Sequence, residues 1–298
     1  MAKSTSAEFS IVITNFNGKR LLERNLPTVA KAYENKKNCI YEVIVVDDGS
    51  TDDSCEFIKS SFLFIKLVKH KINRGFISAT NTGVRSSKSK FVVLLNNDVS
   101  VNPDFLVHVS KHFKDPQVFA VSLNESGYGP AKGNFENGFI VYSAEKAKSK
   151  SSESFWASGG SAVFRRDMWV SLGGMDEKLL SPFYWEDVDV SYRAQKRGWK
   201  ILWDPKAKVV HNHESTVSKI SVKYRQRIQE RNQLIFIWKN LTSNNLFKKH
   251  LAGLLARLTK HPGYIVIIIM ALVKWRNIKK ARRLEKKESK VSDEAIFA

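Results

Sequence analysis

The amino-acid sequence predicts an α/β protein built on a parallel, doubly wound sheet. Three observations carry that expectation: compact β-branched apolar runs, segments of helical apolar spacing between them, and a polar cluster closing each run. Strands covered on both faces read as near-continuous apolar runs, and parallel strands need a crossover to join them.

Taken in order, the first run is FSIVIT, from Phe9 to Thr14, and the second is YEVIVVDD, from Tyr41 to Asp48. The third is LFIKLVK, from Leu63 to Lys69, and the fourth is KFVVLLNND, from Lys90 to Asp98. Leu21, Leu22 and Leu26, then Phe57 with Ile58, then Phe76 through Val84 give the intervening segments helical spacing. Right-handed crossovers assemble such a series into a doubly wound half, whose ligands sit beyond the carboxyl ends of the strands. At those ends lie Asn15 and Asn17, Asp47 and Asp48, Asn73 and Arg74, and Asn96, Asn97 and Asp98. One such cluster alone reads as a turn or a cap, as Ser50, Thr51 and Asp52 do after Gly49. Four at one sheet edge read as a site. No GxGxxG follows the first strand and no GxxxxGK with Ser or Thr occurs, which argues against a dinucleotide oxidoreductase and a P-loop nucleotidase.

The 298 residues suffice for one or two domains, and a hydrophobic share of 43% supplies a large core. The net charge of +20 calls for a polyanionic partner: a nucleic acid, an acidic membrane surface or a phosphate-bearing substrate. From Lys219 onward there are 19 Lys or Arg against 5 Asp or Glu, so the charge is concentrated at the C-terminal end. With no nucleic-acid-binding motif present, a nucleic-acid-binding protein is the poorer reading. The longest uncharged apolar run, Gly263 to Val273, is 11 residues, short of the roughly 20 needed to span a bilayer. It reads either as a buried core element or, flanked by Lys260, His261, Lys274 and Arg276, as an interfacial segment on anionic lipid. In the second case, removal of the chain from about Lys248 is expected to leave a folded body. Residues from about 284 are expected to fray, and Ser143 to Ser154 reads as a mobile loop. Two cysteines, Cys39 and Cys55, exclude a disulfide scaffold, and no zinc ligand set is present. The start of the chain lacks a long apolar stretch, so a cytoplasmic location is expected.

The ordered series VDDGSTDDS, NRGF, LLNNDV, SGGSAVFRRDMWVSLGGMDE, YWEDVDVSYRAQKRGWKI and HNHES resembles glycosyltransferase family 2, in particular its bacterial rhamnosyltransferase-like and galactofuranosyltransferase-like members. The resemblance runs from about Phe9 to Ser215. It implies a GT-A fold: a Rossmann-like nucleotide-binding half on a mixed central sheet, here followed by a basic helical C-terminal region. The boundaries expected are 1–218 for the transferase (about 9–120 for the nucleotide-sugar half and 121–218 for the acceptor half) and 219–298 for the basic region. It also implies inverting transfer from a nucleotide-diphosphate sugar, dTDP-rhamnose or a UDP-sugar, to a glycan or polyprenyl-linked acceptor of the cell envelope. No nucleic-acid partner is implied, and the basic end suggests peripheral contact with an anionic membrane at its inner face.

Site residues follow from the same resemblance. Thr14, Asn15, Asn17, Asp47, Asp48, Asn73, Gly75 and Asn97 would hold the nucleotide sugar, with Asp48 the preferred base contact. The family's DXD-type acidic element corresponds to Asn96-Asn97-Asp98, where an amide replaces the first acid. Asp98, Asn96 and His211 would hold a divalent cation, Mn2+ or Mg2+, which offsets charge on the departing diphosphate; His213 is a weaker candidate. Asp187 would act as general base and Glu186 would orient the acceptor, although two acids at a helix start also suit the macrodipole. Gly159 and Gly160 would let backbone approach the sugars. Trp156 and Trp185 would either stack on sugar faces or pack in the core. Asp189 and Arg193, four apart, read as a helix-surface pair. The amide at Asn96 keeps open a second reading, a sugar-binding relative without catalysis.

Overall fold

Alternate residues of the first strands enter two different cores, which is why their sequences are apolar throughout. The computed structural model describes residues 8–212 and 220–298. The strands are β1 (Phe9–Asn15), β2 (Ile40–Asp47), β3 (Ile65–Lys69), β4 (Phe91–Asn96), β5 (Val99–Val101), β6 (Val118–Glu125), β7 (Ala131–Glu136), β8 (Phe139–Ala144), β9 (Ser152–Glu153), β10 (Ser161–Arg165) and β11 (Lys200–His211). The helices are α1 (Lys19–Glu34), α2 (Ser54–Ser61), α3 (Phe76–Ser86), α4 (Arg166–Ser171), α5 (Glu177–Leu180), α6 (Glu186–Lys196), α7 (Val222–Asn240), α8 (Asn244–Lys260), α9 (Ile265–Leu272), α10 (Trp275–Glu288) and α11 (Asp293–Phe297).

Strands pair in the order β3-β2-β1-β4-β10-β6-β11-β5, with β9 added beside β11. β3, β2, β1 and β4 run parallel, as the apolar runs predict. The sheet becomes mixed at β10, antiparallel to both β4 and β6, while β11 runs parallel to β6. Ile11, Ile13, Val93 and Leu95 point to one core, with Leu22, Leu26 and Val29 of α1. Val12, Val92 and Leu94 point to the other, with Ile77 and Val84 of α3. This is the period of two that a pleated strand imposes. β7 and β8 form a separate hairpin whose two-residue turn, Asn137-Gly138, has positive φ at both positions, as the twist of a tight hairpin favours. Ser143 and Ala144 close β8, and Ser152 and Glu153 pair with β11, so the loop expected from Ser143 to Ser154 is shorter than its composition suggested.

The basic C-terminal helices complete the second core. Leu234, Ile235, Phe236, Ile237, Ile267, Ile268 and Ile278 are buried in the same cluster as α3 and α6. Several of the cations counted in the sequence are structural. Lys239 reaches Asp176 and Asp189 at 2.9 Å each, and Arg193 reaches Asp189 at 2.8 Å. Asp189 is fully buried. Burial by itself would raise its pKa, but Arg193 and Lys239 outweigh it and hold the carboxyl below its usual range. The Asp189–Arg193 pair is therefore internal, a correction to the helix-surface reading, because α7 covers that face of α6.

Two other expectations change. The tail does not fray from 284: Asp293 is buried against Lys196, and Phe297 lies 5.8 Å from the ring of Tyr192. The buried charge of Lys196 needs that carboxylate, so removing the chain from Lys248 would strip a partner from the core. Gly263 to Val273 is core along one side only. Ile267, Ile268 and Ala271 of α9 are buried, whereas Ile265, Val266, Ile269, Leu272 and Val273 are exposed.

Candidate functional site

Sheet register assembles the polar strand ends. In the parallel half, Asn15 of β1 is level with Asp47 of β2, and Thr14 with Asn96 of β4. Asn15 bridges the three strand ends: its amide donates to Asp47 Oδ2 at 3.1 Å, and its Oδ1 accepts from Asn97 Nδ2 at 2.8 Å. On the antiparallel side, the backbone N–H of Asn96 donates to Gly160 O at 2.9 Å. A Cβ at Gly160 would lie 2.4 Å from the Asn96 amide, so only glycine lets that side chain settle over the start of β10.

Pairing of β11 with β5 sets His211 opposite Val99, next in sequence to Asp98. His211 Nε2 lies 3.0 Å from Asp98 Oδ1, and its Nδ1 lies 3.3 Å from Glu125 Oε2 at the end of β6. Burial would lower the His211 pKa, but bonds and charges from Asp98 and Glu125 dominate and push it up to about 9. Glu125 is a residue that sequence reasoning missed. It belongs to no motif, and only the register of β6 against β11 brings it to the histidine. His213 lies outside the described residues.

The loop after β3 is held by Asp48. Its oxygens accept from Arg74 N at 2.9 Å and Gly75 N at 2.7 Å, and His70 Nδ1 stands 2.6 Å away. His70 was also missed, being a lone histidine after an unremarkable strand. Asp47 and Asn17 act one layer out. Asp47 accepts from Ser50 N at 3.0 Å, and Asn17 Oδ1 accepts from Thr51 N at 2.7 Å, so both shape the loop after β2. Neither lines the cavity described next, unlike Thr14, Asn15, Asp48, Asn73, Gly75, Asn96, Asn97 and Asp98.

That cavity has a volume of about 440 Å³. A second, of about 390 Å³, is walled by Glu125 and by Tyr128, Tyr142, Trp156, Tyr184 and Trp185. Ser158, Tyr184, Glu186 and Asp187 line both, so the two cavities meet at the acidic pair. Trp185 is not laid open for stacking. It is 4% exposed, with its ring 5.2 Å from Tyr142 and 5.0 Å from Phe236.

The acidic pair begins α6 directly after Tyr184 and Trp185, both at φ 72°. Large non-glycine residues at positive φ are costly, about 1–3 kcal/mol each, and persist only where their surroundings hold them. Here Asn232 of α7 does so: its Nδ2 donates to the carbonyls of Leu180 at 2.6 Å and of Phe183 and Tyr184 at 2.9 Å. Asn232 is fully buried, and nothing in its sequence context marked it.

The two acids differ in their partners. Asp187 accepts from Gly159 N at 3.3 Å and Val188 N at 2.8 Å. Burial raises its pKa, and these N–H groups, which favour the carboxylate, oppose part of the rise. Glu186 has a buried oxygen, Oε2, with no hydrogen-bond partner among the described residues. Burial first, and then the charge of Asp187, push its pKa up to about 8. A raised carboxyl pKa contributes stability that is complete below the unfolded value, near 4.5, and is lost as pH rises through about 8. Glu186→Gln, which cannot ionise, is therefore expected to melt with the parent at acidic pH. It should exceed the parent by on the order of a few kcal/mol at alkaline pH. Parallel melting temperatures across that range would show that Glu186 ionises freely.

The family model described as "Glycosyl transferase family 2" matches residues 10–172, more than half of the chain. The chain belongs to this family. Within glycosyl transferase family 2 it is similar to the poly-beta-1,6-N-acetyl-D-glucosamine synthase of Staphylococcus aureus, 26% identical over 210 residues. That match covers 66% of this chain and 48% of the relative, so the chain spans about half the length of the curated protein. Among solved structures, GalNAc-T7 with UDP, GalNAc and Mn2+ matches at a TM-score of 0.64 and 16% identity, covering 89% of this chain and 58% of that one. S. aureus TarS in complex with UDP-GlcNAc matches at a TM-score of 0.58 and 16% identity, covering 85% and 73%. The family-2 resemblance read from the sequence thus holds, and the fold is GT-A.

Proposed function

We propose that this family-2 chain is an inverting glycosyltransferase. The larger cavity takes a nucleotide-diphosphate sugar, and the smaller takes the hydroxyl that attacks it. The observation that carries this reading is the meeting of the two cavities at one buried acid pair. Asp187, the acid of the pair with backbone N–H partners, takes the proton of the attacking hydroxyl as the new bond forms on the face opposite the departing diphosphate. Glu186, protonated at neutral pH, orients that hydroxyl through its unpartnered oxygen. The aromatic walls of the smaller cavity suit the apolar faces of a glycan acceptor.

The larger cavity is lined by no Lys or Arg among the described residues, although its proposed ligand carries a diphosphate. A divalent cation, Mn2+ or Mg2+, supplies the missing positive charge when bound. Asp98, 1% exposed, and His211 fit it as an oxygen and a nitrogen ligand, with Asn96 beside them on the cavity wall. No group of three or more His, Cys, Asp or Glu suited to a metal ion occurs among the described residues. Asp98→Asn is expected to abolish cation-dependent transfer, and His211→Ala to reduce it less. Full activity of Asp98→Asn in the presence of a chelator would remove the metal from the mechanism.

The likeness to proteins solved with UDP or UDP-GlcNAc favours a UDP-sugar over dTDP-rhamnose as donor. The likeness to a polysaccharide synthase supports a glycan or polyprenyl-linked acceptor in cell-envelope synthesis, at the cytoplasmic face of the membrane. A thermal-shift screen of UDP-sugars and dTDP-rhamnose, with and without Mn2+, tests the donor. A donor at 100 times its Kd stabilises by about 2.7 kcal/mol. Absence of any shift across the screen would overturn the reading.

A further inference from the structure

Helix α9 is apolar on every side, yet only one side is covered. Ile267, Ile268 and Ala271 face the core. Ile265, Val266, Ile269, Leu272 and Val273 are 44–81% exposed, and Trp275, at the start of α10, is 41% exposed. Helices that are apolar all round are normally buried, and contiguous exposed apolar surface marks an interaction site. The adjoining cations sort into two groups. Lys274 turns inward, donating to the carbonyls of Lys178 and Leu179 at 2.8 and 2.9 Å. Arg276, Lys279, Lys280 and Arg283 of α10 are all exposed.

We infer that the outer face of α9 and of α10 as far as Arg283 docks on an anionic lipid surface, with the α9 side chains and Trp275 among the acyl chains and the α10 cations at the headgroups. Charge decides the occupant. A second copy would bring the same basic residues of a chain of net charge +20 against each other, whereas an anionic bilayer complements them. Length decides the mode. α9 has 8 residues, and no described helix is long and apolar enough to cross a membrane, so the element lies in the interface. The inward Lys274 ties this face to the segment that leads through Pro182 and Phe183 to Tyr184 and the acid pair, which line the acceptor cavity. The inference rests on the peripheral location proposed above, but vesicle binding is read without turnover, so the two fail separately.

The test is co-sedimentation of the full chain with vesicles of phosphatidylcholine alone or mixed with phosphatidylglycerol. Binding is expected only with phosphatidylglycerol, and it should weaken as salt rises. Replacing Lys279, Lys280 and Arg283 by Gln together should weaken it about 10²-fold, since each such cation contributes about fivefold near an anionic surface. Ile269→Asp with Val273→Asp should weaken it at least about tenfold, with unchanged melting temperature because both positions are exposed. Equal binding to neutral vesicles, or unaltered binding by either variant, would overturn the inference. So would a dimer in sedimentation equilibrium that Ile269→Asp dissolves, because a second copy would then own the face.

Discussion

Asp187→Asn is expected to slow sugar transfer by at least about 10²-fold while donor affinity stays near the parental value. An acceptor hydroxyl is a poor nucleophile at neutral pH, and general-base removal of its proton contributes about 10²- to 10⁴-fold. Asparagine keeps the size of the side chain and one of the two oxygens, so it still accepts from Val188 N within the helix start while giving up Gly159 N, but it cannot take the proton. The helix start therefore survives the substitution and the chemistry does not. Glu186→Gln separates the roles of the two acids. Glu186 is already protonated at neutral pH, with its pKa near 8, so the amide should cost mainly acceptor affinity, read as a raised KM with kcat less affected. Calorimetric donor affinity alongside acceptor kinetics checks both variants. Parental transfer by Asp187→Asn with a dead Glu186→Gln would reverse the assignment. Parental transfer by both would leave the pair as a feature of the helix start.

The parallel half of the sheet was legible because both faces of each strand are buried, so the apolar runs are continuous and their ends are marked by polar clusters. The structure sets those ends level, Asn15 with Asp47 and Thr14 with Asn96, as polar clusters at one sheet edge require. Beyond β4 the sheet is assembled from strands far apart in sequence, and composition does not encode their pairing. Glu125 and His211 meet only because β6 and β11 pair across an intervening stretch of four strands and three helices. Burial decided by a late element was equally hidden. The Asp189–Arg193 pair has the spacing of an exposed helix pair, and only Lys239 and Asn240 of α7, some 50 residues on, show that the face is covered. The same holds for Asn232, whose three carbonyl partners lie in one irregular segment 48 to 52 residues earlier. The polar tail looked unattached because one buried carboxylate, Asp293, and one aromatic ring, Phe297, fix its position instead of a long apolar stripe.

Asp293→Ala is expected to destabilise the protein by about 3–5 kcal/mol, the cost of leaving one member of a buried ion pair without its partner. Asp293 is fully buried and both of its oxygens are saturated. Oδ1 accepts from Lys196 Nζ and Tyr192 OH at 2.7 Å each, and Oδ2 accepts from the backbone N–H groups of Thr242 at 2.7 Å and Ser243 at 2.5 Å. Lys196 is 1% exposed, so its ammonium would be left with the Thr242 hydroxyl, at 2.7 Å, as its remaining partner. That loss is a large fraction of the 5–15 kcal/mol that a folded domain commands. Asp293→Asn should cost less, because the amide oxygen still accepts hydrogen bonds, though the charge of Lys196 goes uncompensated. Adding Lys196→Met to Asp293→Ala should restore part of the stability by removing the stranded charge. Truncation after Val291 deletes Asp293 together with Phe297, whose ring lies 6.0 Å from Phe155, and should destabilise at least as much as Asp293→Ala. Urea denaturation of the four variants reads these differences. A truncated chain with the parental midpoint would mean that the last helix contributes nothing. Failure of Lys196→Met to rescue Asp293→Ala would locate the cost in the backbone caps at Thr242 and Ser243 instead of the ion pair.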